Sequence, residues 1–300
     1  MLTLGTRISP LALWQTEHIA ALLRQAWPDL ACELTPYVTQ GDKTLNKPLP
    51  EIGGKGLFTL ELENGLRDGR IHLAVHSLKD LPVEDSPGLT LGAIVGRADP
   101  RDALITANGR PLTDLPPAAV VGTSSLRRQA QLRRLRPDLV IKSIRGNVAT
   151  RICKVREGEY DATLLAAAGL TRLGLDHEVA EWLSLSQMLP APGQGALAAQ
   201  CRADDAETIR LLAAIHQPEV AAAVTAERQF LQGLGGGCAT PVAAYAEWVD
   251  GRLHLTGLVS ALDGSTAVQV TGHGDDPVQL GRRLAHQALS QGAKEILEEK

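Results

Sequence analysis

Aromatic side chains are scarce in this 300-residue chain, at 3% of the total. That scarcity counts against a surface that stacks nucleobases on Phe, Tyr or Trp, and leaves phosphate-only contact as the one nucleic-acid mode open. Nowhere do about 18 apolar residues run together, so no segment reads as a membrane span. The opening MLTLGTRISP lacks a cationic stretch followed by an apolar run of signal-peptide length, and the expectation is a soluble, cytoplasmic protein. No Cys-x-x-Cys occurs among Cys32, Cys153, Cys201 and Cys238, which argues against a metal or redox motif; a reducing compartment also disfavours structural disulfides. Each cysteine is judged as a single thiol, and the first three fit helical or strand patterns and are read as packing residues. Around Gly53-Gly-Lys-Gly56 the Gly-x-x-x-x-Gly-Lys-Ser/Thr spacing of a nucleotide P-loop is missing too.

What the chain does have is a concentration of positive charge. Between residues 120 and 157 it carries ten Lys and Arg against two acids, Asp138 and Glu157, a net of +8, which leaves −12 for the rest of a chain whose total is −4. Clustered like charges repel unless a partner neutralises them, so this stretch points to an anionic ligand. With 44% hydrophobic residues the chain can build real cores, and its length alone suggests roughly two domains.

Residues 1 to about 190 alternate short apolar strands with amphipathic helical stretches, the pattern of an α/β unit with mainly parallel sheet. Strands are expected at Leu2–Thr6, Ile71–His76, Ala119–Gly122, Leu139–Ile144 and Ala162–Ala167; Ser9 and Pro10 mark a helix start. The turn-rich stretches 96–102 and 190–195 read as linkers flanking one α/β unit, so the chain leaves a first lobe, builds a second and returns. This gives lobe 1 as residues 1–96 with 195–216 and lobe 2 as 97–194. From about 217 to 300 the style changes to a helix, a glycine cluster, strands parted by Asp250-Gly251 and Asp263-Gly264, and a last helix from about Asp276. That part reads as a small α+β domain with an antiparallel sheet.

The candidate chemistry has a common address. Arg7 and Ser9 follow the first strand, Lys55 precedes a helix, and Lys79 and Asp80 follow the strand ending at His76. Thr123, Ser124 and Ser125 lead into a helix opening with Arg127 and Arg128, and Arg145-Gly-Asn147 leads into one carrying Arg151. Carboxyl ends of parallel strands and helix N-termini are where α/β sheets bind anions, so all five segments are expected to face one cleft. Arg127 and Arg128 oppose the helix dipole by about 0.3–1 kcal/mol unless an anion lies there, whereas Arg133, Arg134 and Arg136 read as solvated helix-face charges. Several spaced arginines suit a ligand with several carboxylates or phosphates. Asp80 reads either as a cap or salt bridge, or as a carboxylate that stabilises a positive intermediate. His76 and Ser77 point to opposite faces of their strand, which argues against a hydrolase triad and leaves His76 structural. Cys238, in Leu234-Gly-Gly-Gly-Cys-Ala-Thr-Pro241, is either a functional thiol brought close to a ligand or a packing residue.

Seven segments together resemble the porphobilinogen deaminase family: Gly5-Thr-Arg-Ile-Ser-Pro-Leu-Ala12, Gly53-Gly-Lys-Gly-Leu-Phe58, Ala74-Val-His-Ser-Leu-Lys-Asp-Leu-Pro-Val-Glu84, Asp99-Pro-Arg-Asp102, Val121-Gly-Thr-Ser-Ser-Leu-Arg-Arg-Gln129, Ile144-Arg-Gly-Asn-Val-Ala-Thr-Arg151 and Gly236-Gly-Cys238. The match spans nearly the whole chain in the family's order. It implies two lobes like those of periplasmic binding proteins plus a third domain, and a dipyrromethane cofactor tethered by a thioether to Cys238. Four porphobilinogen units would be deaminated and joined head to tail on that primer before water releases hydroxymethylbilane. The partners implied are therefore porphobilinogen and the growing oligopyrrole, without nucleic acid or membrane, on a monomer.

By the same resemblance Asp80 matches the catalytic aspartate, while Arg7, Ser9, Lys79, Arg127, Arg128, Arg145, Arg151 and Arg172 match residues that grip cofactor or substrate carboxylates. Lys55, Ser77, Thr123 and Ser125 match supporting contacts. Electrostatics, rather than a metal or an activated serine, would then do most of the catalysis. Glu51, Leu60 and Gly235 depart from the family's usual residues, which bears on loop contacts near 51–60. Two rival readings are a non-catalytic two-lobed anion-binding protein, which needs no Cys238, and a nucleic-acid binder whose affinity falls steeply with salt.

Overall fold

The computed structural model describes residues 1–43, 56–84, 86–237 and 240–298. The chain begins with strand β1 (Leu2–Arg7) and helix α1 (Pro10–Ala26), whose Ser9 cap accepts a hydrogen bond from the Ala12 N–H at 3.3 Å. Strand β2 (Cys32–Tyr37), a single turn α2 (Gln40–Lys43), helix α3 (Leu60–Arg67), strand β3 (Leu73–Ser77) and strand β4 (Leu89–Arg97) follow. The chain then crosses to β5 (Asp102–Thr106), β6 (Val120–Gly122), α4 (Leu126–Leu135), β7 (Val140–Lys142), α5 (Val148–Arg156), β8 (Ala162–Ala166), α6 (Ala167–Arg172) and β9 (Glu181–Trp182). It returns as β10 (Ala196–Arg202) and α7 (Ala206–Ala213).

Two five-stranded sheets result, ordered β2-β1-β3-β10-β4 and β7-β6-β8-β5-β9. In each, one strand runs against the other four: β10 pairs antiparallel with both β3 and β4, and β5 with both β8 and β9. The mixed, mainly parallel sheets expected of two α/β lobes are therefore present. Apolar residues on one face of the first sheet (Leu4, Leu73, Val95, Leu197) pack against Ile19 and Leu23 of α1 and Leu212 of α7. Leu104, Val121 and Leu164 pack with Leu132 of α4 in the second. Where the two crossings meet, Gly195 has φ of 94°, and a Cβ there would lie 2.4 Å from the Ala98 carbonyl oxygen. Only glycine permits so close an approach of the two backbones.

Helix α8 (Pro218–Gly233), strands β11 (Val242–Val249), β12 (Arg252–Ser260) and β13 (Ala267–Gly274), helix α9 (Pro277–Ala288) and helix α10 (Lys294–Glu298) form the third part, with an antiparallel sheet. Asp250 and Gly251 turn β11 into β12 with φ of 50° and 75°, the tight hairpin geometry that this dipeptide favours. Phe230 of α8 is fully buried between α9 and the sheet. Asp276 caps α9, accepting from the N–H groups of Val278 and Gln279 at 2.8 and 3.0 Å.

Candidate active site

Charge couplings join Lys79, Arg127, Arg128, Arg145 and Arg151, whereas Arg7 and Arg172 have partners of their own. At the end of β1 the Arg7 guanidinium pairs with the Asp42 carboxylate and lies 4.3 Å from the Phe58 ring centre. After β3 the chain makes a short 3-10 turn, Leu78–Asp80, in which Lys79 Nζ donates to Gln194 Oε1 at 3.2 Å. Ser77 Oγ accepts from Gln15 Nε2 of α1 at 2.9 Å. Ser125 caps α4 by accepting from the Arg128 N–H at 3.4 Å, and Thr123 Oγ1 accepts from the Ser125 N–H at 3.2 Å. Asn147 caps α5, whose Arg151 Nε donates to the Gly146 carbonyl at 2.9 Å. Arg172, at the end of α6, donates to the Gly195 carbonyl at 2.7 Å and sits 5.7 Å from the Trp14 ring centre. Lys55 and Cys238 lie outside the described residues.

One inference from the sequence needs correcting. The anion opposite Arg127 and Arg128 lies within the chain: Asp102, fully buried, accepts from both guanidinium groups at 2.7 Å. Their unfavourable place at a helix start is thus compensated without any ligand. Nor are Arg133 and Arg136 solvated helix-face charges. Arg133 Nη1 donates to the Leu262 carbonyl at 2.8 Å, and Arg136 holds the carbonyls of Leu112 and Leu115 at 2.6 and 2.8 Å. Cys201 is buried as expected, but Cys153 is exposed on α5 because its flank of the helix faces away from the sheet.

The electrostatics describe a site crowded with positive charge. Burial, and then the neighbouring Arg128 and Arg145, lowers Arg151 to about 10 despite Asp80. Arg172 is also lowered to about 10 by burial, and Arg145 is lowered by the same cause. Burial brings Lys79 to about 8, with Asp80 and Asp102 opposing and Arg128 and Arg127 reinforcing. Asp80, which is exposed, thus acts on Lys79 of its own lobe and on Arg151 of the other. Among the described residues it forms no salt bridge, and the caps of α1, α4 and α5 fall to Ser9, Ser125 and Asn147.

Three residues to which the sequence reading gave no role organise this region. Gln194 Nε2 donates to the Pro100 carbonyl at 2.7 Å and to Asp102 Oδ1 at 2.9 Å. Asp102 itself belonged to a stretch read as a linker. Glu227, fully buried on α8, accepts from Arg97 Nη1 at 2.9 Å and from the N–H groups of Gly193 and Ala246 at 2.6 and 2.7 Å. Burial pushes the Glu227 carboxyl up, with Arg97 opposing. Its place at the apolar spacing of Ala223, Val224, Phe230 and Leu231 in α8 was the available signal for it.

His76 is buried, as a structural histidine should be. Burial lowers it from 6.5 to about 4, a shift partly opposed by the Gln200 amide and reinforced by the Arg7 charge. Between those values the unfolded chain binds the proton and the folded one does not, so stability falls as pH drops from 6.5 to about 4. His76→Gln should flatten that part of a urea-unfolding pH series; an unchanged slope would show that another group is responsible.

Comparison with known proteins bears on the arrangement as a whole. Residues 2–210 match the profile described as the porphobilinogen deaminase dipyrromethane cofactor binding domain, and residues 221–290 match the porphobilinogen deaminase C-terminal domain. The chain belongs to the porphobilinogen deaminase family. The cofactor of a porphobilinogen deaminase is dipyrromethane, and the first match is to the domain that binds it. Solved structures similar to this porphobilinogen deaminase family member include a nutrient binding protein from Burkholderia cenocepacia bound to methionine, at 12% identity over 73% of this chain and 93% of that one, with a TM-score of 0.46. A putative methionine-binding lipoprotein from Bacillus subtilis matches at 13% identity over 73% and 91%, with a TM-score of 0.43. Among the described residues no helix is long and apolar enough to cross a membrane.

Proposed function

We propose that this chain deaminates four porphobilinogen molecules in turn, joins them head to tail on a dipyrromethane primer attached through Cys238, and releases hydroxymethylbilane by hydrolysis. One observation carries the reading: Arg128 acts on both Lys79 and Arg151, Arg145 acts on Arg151, and burial works against the charges of Lys79, Arg145 and Arg151. Such a lining is best neutralised by a flexible polyanion, and each pyrrole unit brings an acetate and a propionate. The residues fit the cofactor on the same ground. Arg127 Nε and Arg128 Nε are buried donors without a partner among the described residues, in keeping with a ligand rich in carboxylate oxygens.

When bound, the primer supplies the nucleophilic pyrrole carbon. Arg7, Ser9, Lys79, Arg127, Arg128, Arg145, Arg151 and Arg172 hold or orient carboxylates in this reading, supported by Lys55, Ser77, Thr123 and Ser125. Asp80 offers negative charge to the pyrrole nitrogen as ammonia leaves. The division into residues 1–96 with 195–216, 97–194 and 217–300, supported by sheet membership, belongs to the same reading, as do a monomer and a cytoplasmic location. Intact-protein mass is the test. It should exceed the sequence mass by one dipyrromethane, the excess should vanish in Cys238→Ala, and porphobilinogen should be consumed only by the modified protein. Fully active protein of unmodified mass would overturn the proposal.

A further inference from the structure

A guanidinium group is a rigid fork, so pinning two of its corners fixes its plane. Both arginines that open α4 are pinned in this way. Arg127 is held by Asp102 Oδ2 and by the Leu189 carbonyl, each at 2.7 Å. Arg128 is held by Asp102 Oδ1 at 2.7 Å and by the Leu164 carbonyl at 2.9 Å. The same Oδ1 also accepts from Gln194 Nε2 at 2.9 Å, while Gln194 Oε1 accepts from Lys79 Nζ at 3.2 Å. A single carboxylate at the first residue of β5 therefore organises two cations on α4 and, through one amide, a third that follows β3 in the other lobe.

We propose that Asp102 is a positioning residue: it is the built-in counter-anion that presets Arg127 and Arg128, and through Gln194 aligns Lys79, so that the cleft meets substrate carboxylates with its cations already in place. This rests on the reading of the cleft as the porphobilinogen site. The charge balance supports it: even with Asp80 counted beside Asp102, the three cations leave one positive charge over. Without Asp102 the three cations would repel one another and leave their pinned planes; with it, they stay assembled yet still attract an anion. Preset cations spare a ligand the cost of ordering long side chains as it binds.

The test compares wild type, Asp102→Asn, Gln194→Met and Arg128→Leu, each as the holoprotein and each checked for the cofactor by intact mass. Asp102→Asn should raise KM for porphobilinogen at least tenfold while changing kcat less, and Gln194→Met should raise it severalfold. In an Arg128→Leu background, Asp102→Asn should add much less than it does alone, since part of its effect passes through Arg128. A merely structural Asp102 would lower the yield of active enzyme and the melting temperature, with KM unchanged in the surviving fraction. That result, or full additivity with Arg128→Leu, would overturn the proposal. If Asp102→Asn does not fold, Gln194→Met decides: a wild-type KM there refutes the alignment across the lobes. Wild-type protein that carries no dipyrromethane and consumes no porphobilinogen would instead remove the functional reading beneath it.

Discussion

Asp80→Asn protein should fold, keep the dipyrromethane mass of the wild type and lose between about a hundredfold and ten-thousandfold in kcat. The side chain is exposed in the turn after β3, and among the described residues it forms no salt bridge. Surface changes of that kind alter stability by no more than about 0.5 kcal/mol, so the melting temperature should hardly move. Its charge nonetheless reaches Lys79 on one side of the cleft and Arg151 on the other. In the proposed reaction this carboxylate stabilises the cation that develops on substrate, a role the amide cannot fill. Asp80→Glu, which retains charge but displaces it, should recover part of the rate. Turnover within threefold of wild type in Asp80→Asn would eliminate the residue from the chemistry.

Glu227→Ala should cost about 3–5 kcal/mol of folding stability, because it removes one member of a buried pair and leaves the other charge uncompensated. Besides Arg97, the change strands the N–H groups of Gly193 and Ala246, which belong to the second lobe crossing and to β11. Glu227→Gln preserves volume and one acceptor, yet its amide hydrogens would face a backbone N–H; an intermediate loss is expected. Urea unfolding followed by circular dichroism measures both. A loss below about 1 kcal/mol in the alanine variant would show that the junction relaxes around the missing carboxylate.

Local rules made much of this structure legible. Ser9 and Pro10 start α1, Asp250-Gly251 turns the β11–β12 hairpin, and Asp276 caps α9, because each depends only on residues next to it in sequence. The crossings at 96–102 and 190–195 were also visible from their Pro and Gly. Family motifs single out Asp80 and the arginines of the proposed site. What escaped notice was long-range pairing: Asp102 with partners 25 and 26 residues away, Gln194 with one 115 away, and Glu227 with one 130 away. Periodicity and capping carry no signal for such pairs. The same limit explains Arg133, which looks solvated until the loop holding Leu262 packs beside it.

The central position of β10 has a consequence for synthesis. It lies between β3 and β4, yet it is encoded about a hundred residues after them, beyond every strand of the second sheet. At ~5–20 residues per second a ribosome needs roughly 5–20 s to cover that distance. Throughout that interval β3 and β4 expose unpaired backbone edges, the kind that invite association with other nascent chains. The second lobe, whose strands run uninterrupted from Asp102 to Trp182, can close as soon as it emerges. Translation order thus supplies every strand of the later-encoded sheet before the N-terminal sheet has received its missing middle.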